Sequence, residues 1–499
     1  MTPVRTSFVL AVALALAPLL HAQTLSNISY VNGIAVPGST LDLAGGSTFN
    51  RLGMFSDLYY DRNQNEWWGV ADRGPGGGVL SYDTRLERFS IDVNGTTGAI
   101  SNFQVLQTVL LKSNGVPLNG IAPGSLPSSN STALLGNAFD PEGIVVNPLT
   151  GNFLVSDEYG PSLIEFDRAG NLLRRFSVPT NLTPKAGAAT DYAALPVPLN
   201  AGDPTLTTGR EPNRGYEGLA ISPDGKFAYA MLQNGTVTDG YNVSTATRGQ
   251  YTRIVKYDIA TGQPVAQYAY LLESSGQGRG VSALVALGND KFLVLERNNR
   301  GIGVGATLAG ADKNIFQIDL SVATDVTSIN LPASGALPAG AVAAAKSAKL
   351  IDLDTNANQL AALSGLAPEK MEGFAVGPRL ANGLYLLLMG TDNDFSVTQN
   401  GRGTQFDVYY RFSDADPFAS SIQCPIGTTV SCVLTSNASA AALSAQYALL
   451  PGVLQAYTAN INGYVPVVTP EPGTLVLLLG GLAALAASVR HRRASRAAH

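Results

Sequence analysis

Hydrophobic and polar positions alternate over short runs along most of the chain, and one pattern recurs. Pro141-Glu142-Gly143-Ile144-Val145-Val146, Tyr216-Glu217-Gly218-Leu219-Ala220-Ile221 and Met371-Glu372-Gly373-Phe374-Ala375-Val376 each place a Glu-Gly pair ahead of a short apolar strand. Ser56-Asp57-Leu58-Tyr59-Tyr60 and Ser282-Ala283-Leu284-Val285-Ala286 are weaker copies with Ser in place of Glu. After each copy, 14 to 20 residues on, comes the polar end of a second apolar strand, as in Phe153-Leu154-Val155-Ser156-Asp157-Glu158 or Phe292-Leu293-Val294-Leu295-Glu296-Arg297. A third strand often follows with an aromatic or aliphatic residue before Asp (Tyr82-Asp83, Phe166-Asp167, Tyr257-Asp258, Ile318-Asp319), then a turn and a fourth.

Four antiparallel strands in each of at least five repeats predict an all-β fold, a β-propeller of four-stranded blades. Six blades are expected, the sixth from strands within residues 28–43 and 453–468, with five or seven left open. In such a blade the inner strand starts, and the second strand ends, on the same face of the ring. The three Glu-Gly starts therefore converge with Asp157, Glu158, Asp392 and Asp394 around one mouth. Long connections, about residues 112–139, 180–213 and 328–368, arrive on that face too, where loops on a rigid scaffold tend to carry function.

Composition narrows the chemistry. Charged residues are 14% of 499, with 53 Gly and 28 Pro, which suits many short strands and tight turns. A net charge of −5 without a basic stripe argues against a nucleic-acid partner. The three histidines, His21, His491 and His499, all lie in terminal segments. That removes a Ser-His-Asp triad or a His-ligated zinc from the folded body. Crowded carboxylates repel one another unless a cation neutralises them. The expected cofactor is a hard cation on oxygen ligands, Ca²⁺ first. Its ligands would be Glu142, Glu217, Glu372, Asp157 and Asp392, with the three glutamates also candidates for catalysis. Arg73, Arg214 and Arg297 are candidates to hold an anionic ester, since guanidinium groups bind phosphate and carboxylate in pairs of hydrogen bonds. The competing reading makes each Glu a structural acceptor for a neighbouring blade and each Arg its partner. The segment Asp352–Asn358 resembles the start of a calcium loop but lacks its central Gly and final Glu.

Both ends read as addresses. Residues 1–22 have the basic start, apolar stretch and small cleavage-site residue of a secretory signal. Residues 467–499 hold Pro470-Glu471-Pro472, an apolar run over 474–489 and an Arg-rich tail, and resemble the PEP-CTERM sorting signal. That resemblance implies export, transient membrane anchoring and cleavage by an exosortase-type enzyme. The released protein would be periplasmic, cell-surface or extracellular. In that oxidising setting Cys424 and Cys432, eight apart, read as a local disulfide.

Between the ends, over residues 23–466, Asp140-Pro141-Glu142-Gly143, Asn213-Arg214-Gly215-Tyr216-Glu217-Gly218 and Lys370-Met371-Glu372-Gly373, with Leu295-Glu296-Arg297, resemble the phytase-like family ("esterase-like activity of phytase") over about residues 45–415. The resemblance implies a propeller with ester- or phosphoester-hydrolase-like activity. A lactonase-type propeller and a non-catalytic surface protein binding extracellular polysaccharide remain alternatives.

Overall fold

The computed structural model describes residues 25–45, 49–125, 131–273, 279–355 and 359–467. The signal segment 1–22 and the sorting tail beyond Val467 lie outside these residues. Among those described there is no α-helix, and none long and apolar enough to cross a membrane.

Five sheets carry the fold. The first comprises Asp57–Asp61, Glu66–Val70, Arg85–Val93 and Ile100–Leu110; the second Pro141–Val146, Phe153–Asp157, Ser162–Phe166 and Leu172–Arg175. Strands Tyr216–Ile221, Phe227–Leu232, Tyr251–Asp258 and Gln263–Leu271 form the third. In the fourth, Gly280–Gly288, Lys291–Arg297 and Lys313–Asp319 are joined by the short Ala345–Lys346 and Ile351–Asp352. The fifth has Met371–Arg379, Tyr385–Thr391, Gly452–Ile461 and, outermost, Leu25–Val36. All pairs are antiparallel, and the five inner strands pack side by side in cyclic order. This is propeller architecture, with five such sheets among the described residues rather than the six expected. The expected sixth blade fails for a physical reason: both terminal strands complete the fifth sheet, pairing from Leu25↔Ile461 to Val36↔Gly452. The ring is thus closed by a sheet that both ends of the described chain build.

The repeated glycines now have a cause. A Cβ on Gly143 would lie 2.7 Å from the Glu217 carbonyl oxygen, and one on Gly218 2.8 Å from the Leu284 nitrogen. On Gly373 it would sit 2.8 Å from Leu58 Cγ. Each glycine marks where an inner strand crosses its neighbour too closely for a side chain. In the first sheet Asp57 holds the equivalent place. Its buried carboxylate accepts the N–H groups of Leu58 at 2.8 Å, Ile144 at 3.0 Å and Phe374 at 3.5 Å, tying three inner strands together. Several strand-closing aspartates act locally: Asp167 accepts the Ala169 and Asn171 N–H groups, and Asp258 that of Thr261. Asp83 departs from that repeat, since it precedes the third strand of its sheet instead of ending it.

Between the second and third strands of the fifth sheet, residues 392–451 form an insert on the mouth side. Its small sheet joins Phe406–Tyr410, Ile422–Pro425, Val433–Leu434 and Ala448–Leu449. A Cys424–Cys432 disulfide closes an eight-residue separation within it. Arg51 pins the insert to the ring through a two-point pair with Asp407, at 2.8 and 3.1 Å.

The opposite end of the channel is apolar. After Ile461 the chain crosses it: the Val465 N–H donates to the Leu287 carbonyl at 3.0 Å, and Val467 lies beside Ile221. Tyr464 packs on Arg62, whose guanidinium also faces Tyr60 and Tyr385.

Candidate active site

The acidic residues at the mouth lie at the start of an inner strand or just past the end of a second strand, except Glu369, which lies in the connection ahead of Met371–Arg379. The cleft they line has a volume of about 170 Å³. Carboxylate oxygens come together in three overlapping groups: Asp72 with Asp392 and Asp394, Asp72 with Asp140 and Glu142, and Glu142 with Glu158 and Glu217. Within each group the oxygens lie within 4.8 Å of one another.

The groups differ in how they are neutralised. Lys370 pairs with Asp392 at 2.7 Å and Asp394 at 2.6 Å. Burial works against that ammonium, yet the two aspartates outweigh it and hold its pKa well above the usual lysine range. Arg73 donates to Asp140 from both its backbone N–H, at 2.9 Å, and its guanidinium, at 3.1 Å. Burial still lifts Asp140 to about 7, with Arg73 opposing and Glu158 and Asp157 adding to the rise.

No such partner reaches the third group. Glu142 is 6% exposed, and no hydrogen-bond donor reaches its carboxylate among the described residues. Burial raises its pKa well above the carboxylate range, and Glu217, Asp140, Glu158 and Asp72 all push the same way. Glu217 accepts a hydrogen bond from Gln233 on one oxygen; the other is buried and unpartnered, as is Oε1 of Glu158. Burial, then Glu158 and Glu372, raise Glu217 likewise, against the opposing charges of Arg297 and Arg214. Buried carboxylate oxygens without donors are costly, and two of them here lie beside the Glu142 carboxylate, the donor type that hard divalent cations take.

The expected ligands are thus divided. Glu142 and Glu217 sit in the donor-poor group. Glu372 does not: one of its oxygens pairs with Arg297, which also donates to Ser282 at 3.0 Å. Asp392 is held by Lys370. Asp157 lies outside the cleft lining, a correction to its expected place among the ligands. Its carboxylate serves the backbone instead, accepting from the N–H groups of Asp140 at 3.2 Å and Tyr159 at 3.0 Å and the Ser162 hydroxyl at 2.8 Å. Of the three arginines, Arg73 and Arg297 are committed to carboxylates, while Arg214 is in no ion pair among the described residues. Among the described residues the Glu-Gly glutamates do not bond a neighbour's backbone; Asp57 and Ser156 do that, Asp57 accepting the Ile144 N–H and the Ser156 hydroxyl donating to the Glu217 carbonyl at 3.3 Å.

Sequence reasoning passed over Asp72, Asp140 and Gln233 as site residues. A signal for two of them was present. Asp72 and Gln233 lie at the polar ends of second strands, spaced from their repeat starts as Glu158 is.

The phytase-like model, described as "Esterase-like activity of phytase", matches residues 50–395, and a PEP-CTERM protein-sorting motif matches residues 468–493. The chain belongs to the phytase-like family. A relative described as an uncharacterized secreted protein of Arthroderma benhamiae is 30% identical over 241 residues, 41% of this chain and 46% of the relative. The chain thus spans less than half of that relative's length. Among solved structures, the luciferin-regenerating enzyme matches at 10% identity over 87% of this chain and 97% of its own, TM-score 0.29. The Dos1 propeller matches at 8% over 74% and 76%, TM-score 0.26. The sorting motif and the secreted relative mark an exported protein, and the motif implies recognition by exosortase processing.

Proposed function

We propose that this exported protein hydrolyses phosphoric or carboxylic esters with a divalent cation, Ca²⁺ first, held by Glu142, Glu158 and Glu217. The observation that carries the reading is the buried group of three carboxylates with no basic partner and two unpartnered oxygens. A cation bound there would polarise an ester oxygen and acidify a water. Hydrolysis adds that water across the ester: its oxygen joins the phosphoryl or acyl centre, the bond to the alcohol breaks, and the alcohol leaves with a proton. The neighbouring carboxylates supply the base for the water's proton. Asp72, which lines the cleft and whose carboxyl is raised by burial and by Asp392, stands beside them as a further acceptor for that proton.

The test is calcium titration of the purified chain by calorimetry, with assays on phytate and aryl esters, in calcium and in chelator. Calcium binding and turnover that both fall at least tenfold in Glu217→Gln are expected. Turnover indifferent to chelator, or absent on every ester, overturns the reading.

A further inference from the structure

In a cleft crowded with carboxylates, an uncommitted guanidinium is the anomaly. Arg73, Arg297 and Lys370 each pair with an acid, but no carboxylate oxygen lies within 4.0 Å of Arg214 among the described residues. Its one hydrogen bond goes to the carbonyl of the adjacent Asn213. The side chain lines the cleft beside Glu158 and Glu217, and is partly open to it.

The backbone that carries Arg214 is fixed on both sides. Gly215 is pressed against Glu158, where a Cβ would come 2.1 Å from the carbonyl oxygen. The Gly215 carbonyl accepts the Gln233 N–H at 2.9 Å, and the Gln233 side chain holds Glu217. Asn213 adopts a left-handed φ of 56°, uncommon for a residue with a side chain. It also lines the cleft, and its Oδ1 is buried without a partner. Two adjacent lining residues thus bring a guanidinium paired with no acid and, beside it, a buried amide oxygen without a donor.

We propose that Arg214 and Asn213 form a substrate subsite beside the Glu142, Glu158 and Glu217 group, reading an anionic ester that carries a hydroxyl next to the ester carbon. This rests on the ester-hydrolase reading and narrows its substrate class to polyol or sugar phosphates and related anions, against neutral lactones and aryl acetates. Arg214 takes the anion's oxygens, and Asn213 takes the hydroxyl. Leaving that amide unpaired is costly, so an ester without the hydroxyl is disfavoured. The cleft, about 170 Å³, is smaller than pockets that engulf drug-sized ligands (roughly 300–1,000 Å³), so it admits a small head group.

Inorganic phosphate, glycerol 2-phosphate and phenyl phosphate are titrated into the full chain by calorimetry, after calcium has been titrated into the same samples. The parent is compared with Arg214→Gln, Asn213→Gly (glycine tolerates the left-handed φ) and Arg379→Gln, a change on the opposite face. The expected result is a tenfold or greater weakening of all three ligands in Arg214→Gln. Asn213→Gly should weaken glycerol 2-phosphate at least fivefold while sparing phenyl phosphate, and Arg379→Gln should change nothing. Should Arg214→Gln fail to fold, Arg214→Lys replaces it, keeping the charge but losing the two-point contact. Calcium binding with no phosphate binding, or phosphate binding indifferent to Arg214, overturns the subsite alone. Absence of calcium binding overturns the cation reading, and Arg214-dependent phosphate binding in the same samples would still support the subsite.

Discussion

Arg297, at the end of the second strand of the fourth sheet, donates to Glu372, near the start of the inner strand of the fifth. The contact joins two neighbouring sheets at the mouth and uses up one of the three repeated glutamates. Both side chains are buried, so removing one strands the other's charge. Glu372→Gln should therefore cost about 3–5 kcal/mol of stability, read as a lower urea midpoint at unchanged m. The double variant Arg297→Met/Glu372→Leu should recover most of that loss. Equal loss in both variants would show that packing, not charge, dominates there.

The inner strands set a second prediction. Gly143→Ala forces a methyl group against the Glu217 carbonyl, and overpacking of this kind costs about 1–3 kcal/mol. Gly95→Ala is the control, because nothing lies within 4 Å of its added Cβ. Thermal melts should separate the two clearly.

A third concerns pH. Burial lifts the Asp157 carboxyl from 3.8 to about 6, against the Ser162 hydrogen bond and the backbone donors that lower it. Between those two values the folded chain binds more protons than the unfolded one, so this group's contribution falls as pH rises. It is fully present below about 3.8 and lost through about 6. Asp157→Asn removes the titration while keeping an oxygen for the Tyr159 N–H. Its melting temperature should decline less than the parent's between pH 4 and 7, and parallel curves would refute the assignment.

The disulfide gives a fourth. Its loop is short, so the chain-entropy model assigns it about 2–3 kcal/mol. Cys424 and Cys432 both lie in the insert, which packs against the ring without joining its inner strands. Cys424→Ser/Cys432→Ser should raise hydrogen exchange across residues 406–449 and leave the strand starting at Tyr216 protected. Global unfolding at the same rate as the insert would argue that the two are one cooperative unit.

How far the sequence reached depends on which forces act locally. The Glu-Gly repeats located all three inner strands that carry them, because strand crossing demands glycine at a fixed place in each unit. The blade count was not legible: where Leu25–Val36 pairs is decided by a partner more than 400 residues away, Ile461 to Gly452. The acid-lined mouth followed from strand direction alone. Which acids are spent and which are free did not, since Asp157 and Glu158 are neighbours with opposite fates. One turns back to the Tyr159 and Asp140 amides, and the other points into the cleft. A rotation of one residue along a strand decides that, and hydropathy does not record it.

Tyr464, clasped by Arg62 over the apolar end of the channel, has a mechanical meaning. The described chain both begins, at Leu25, and ends, at Val467, on that side of the ring. A tether attached beyond Val467 would therefore pull on this apolar base, at the end of the channel away from the acid-rimmed opening.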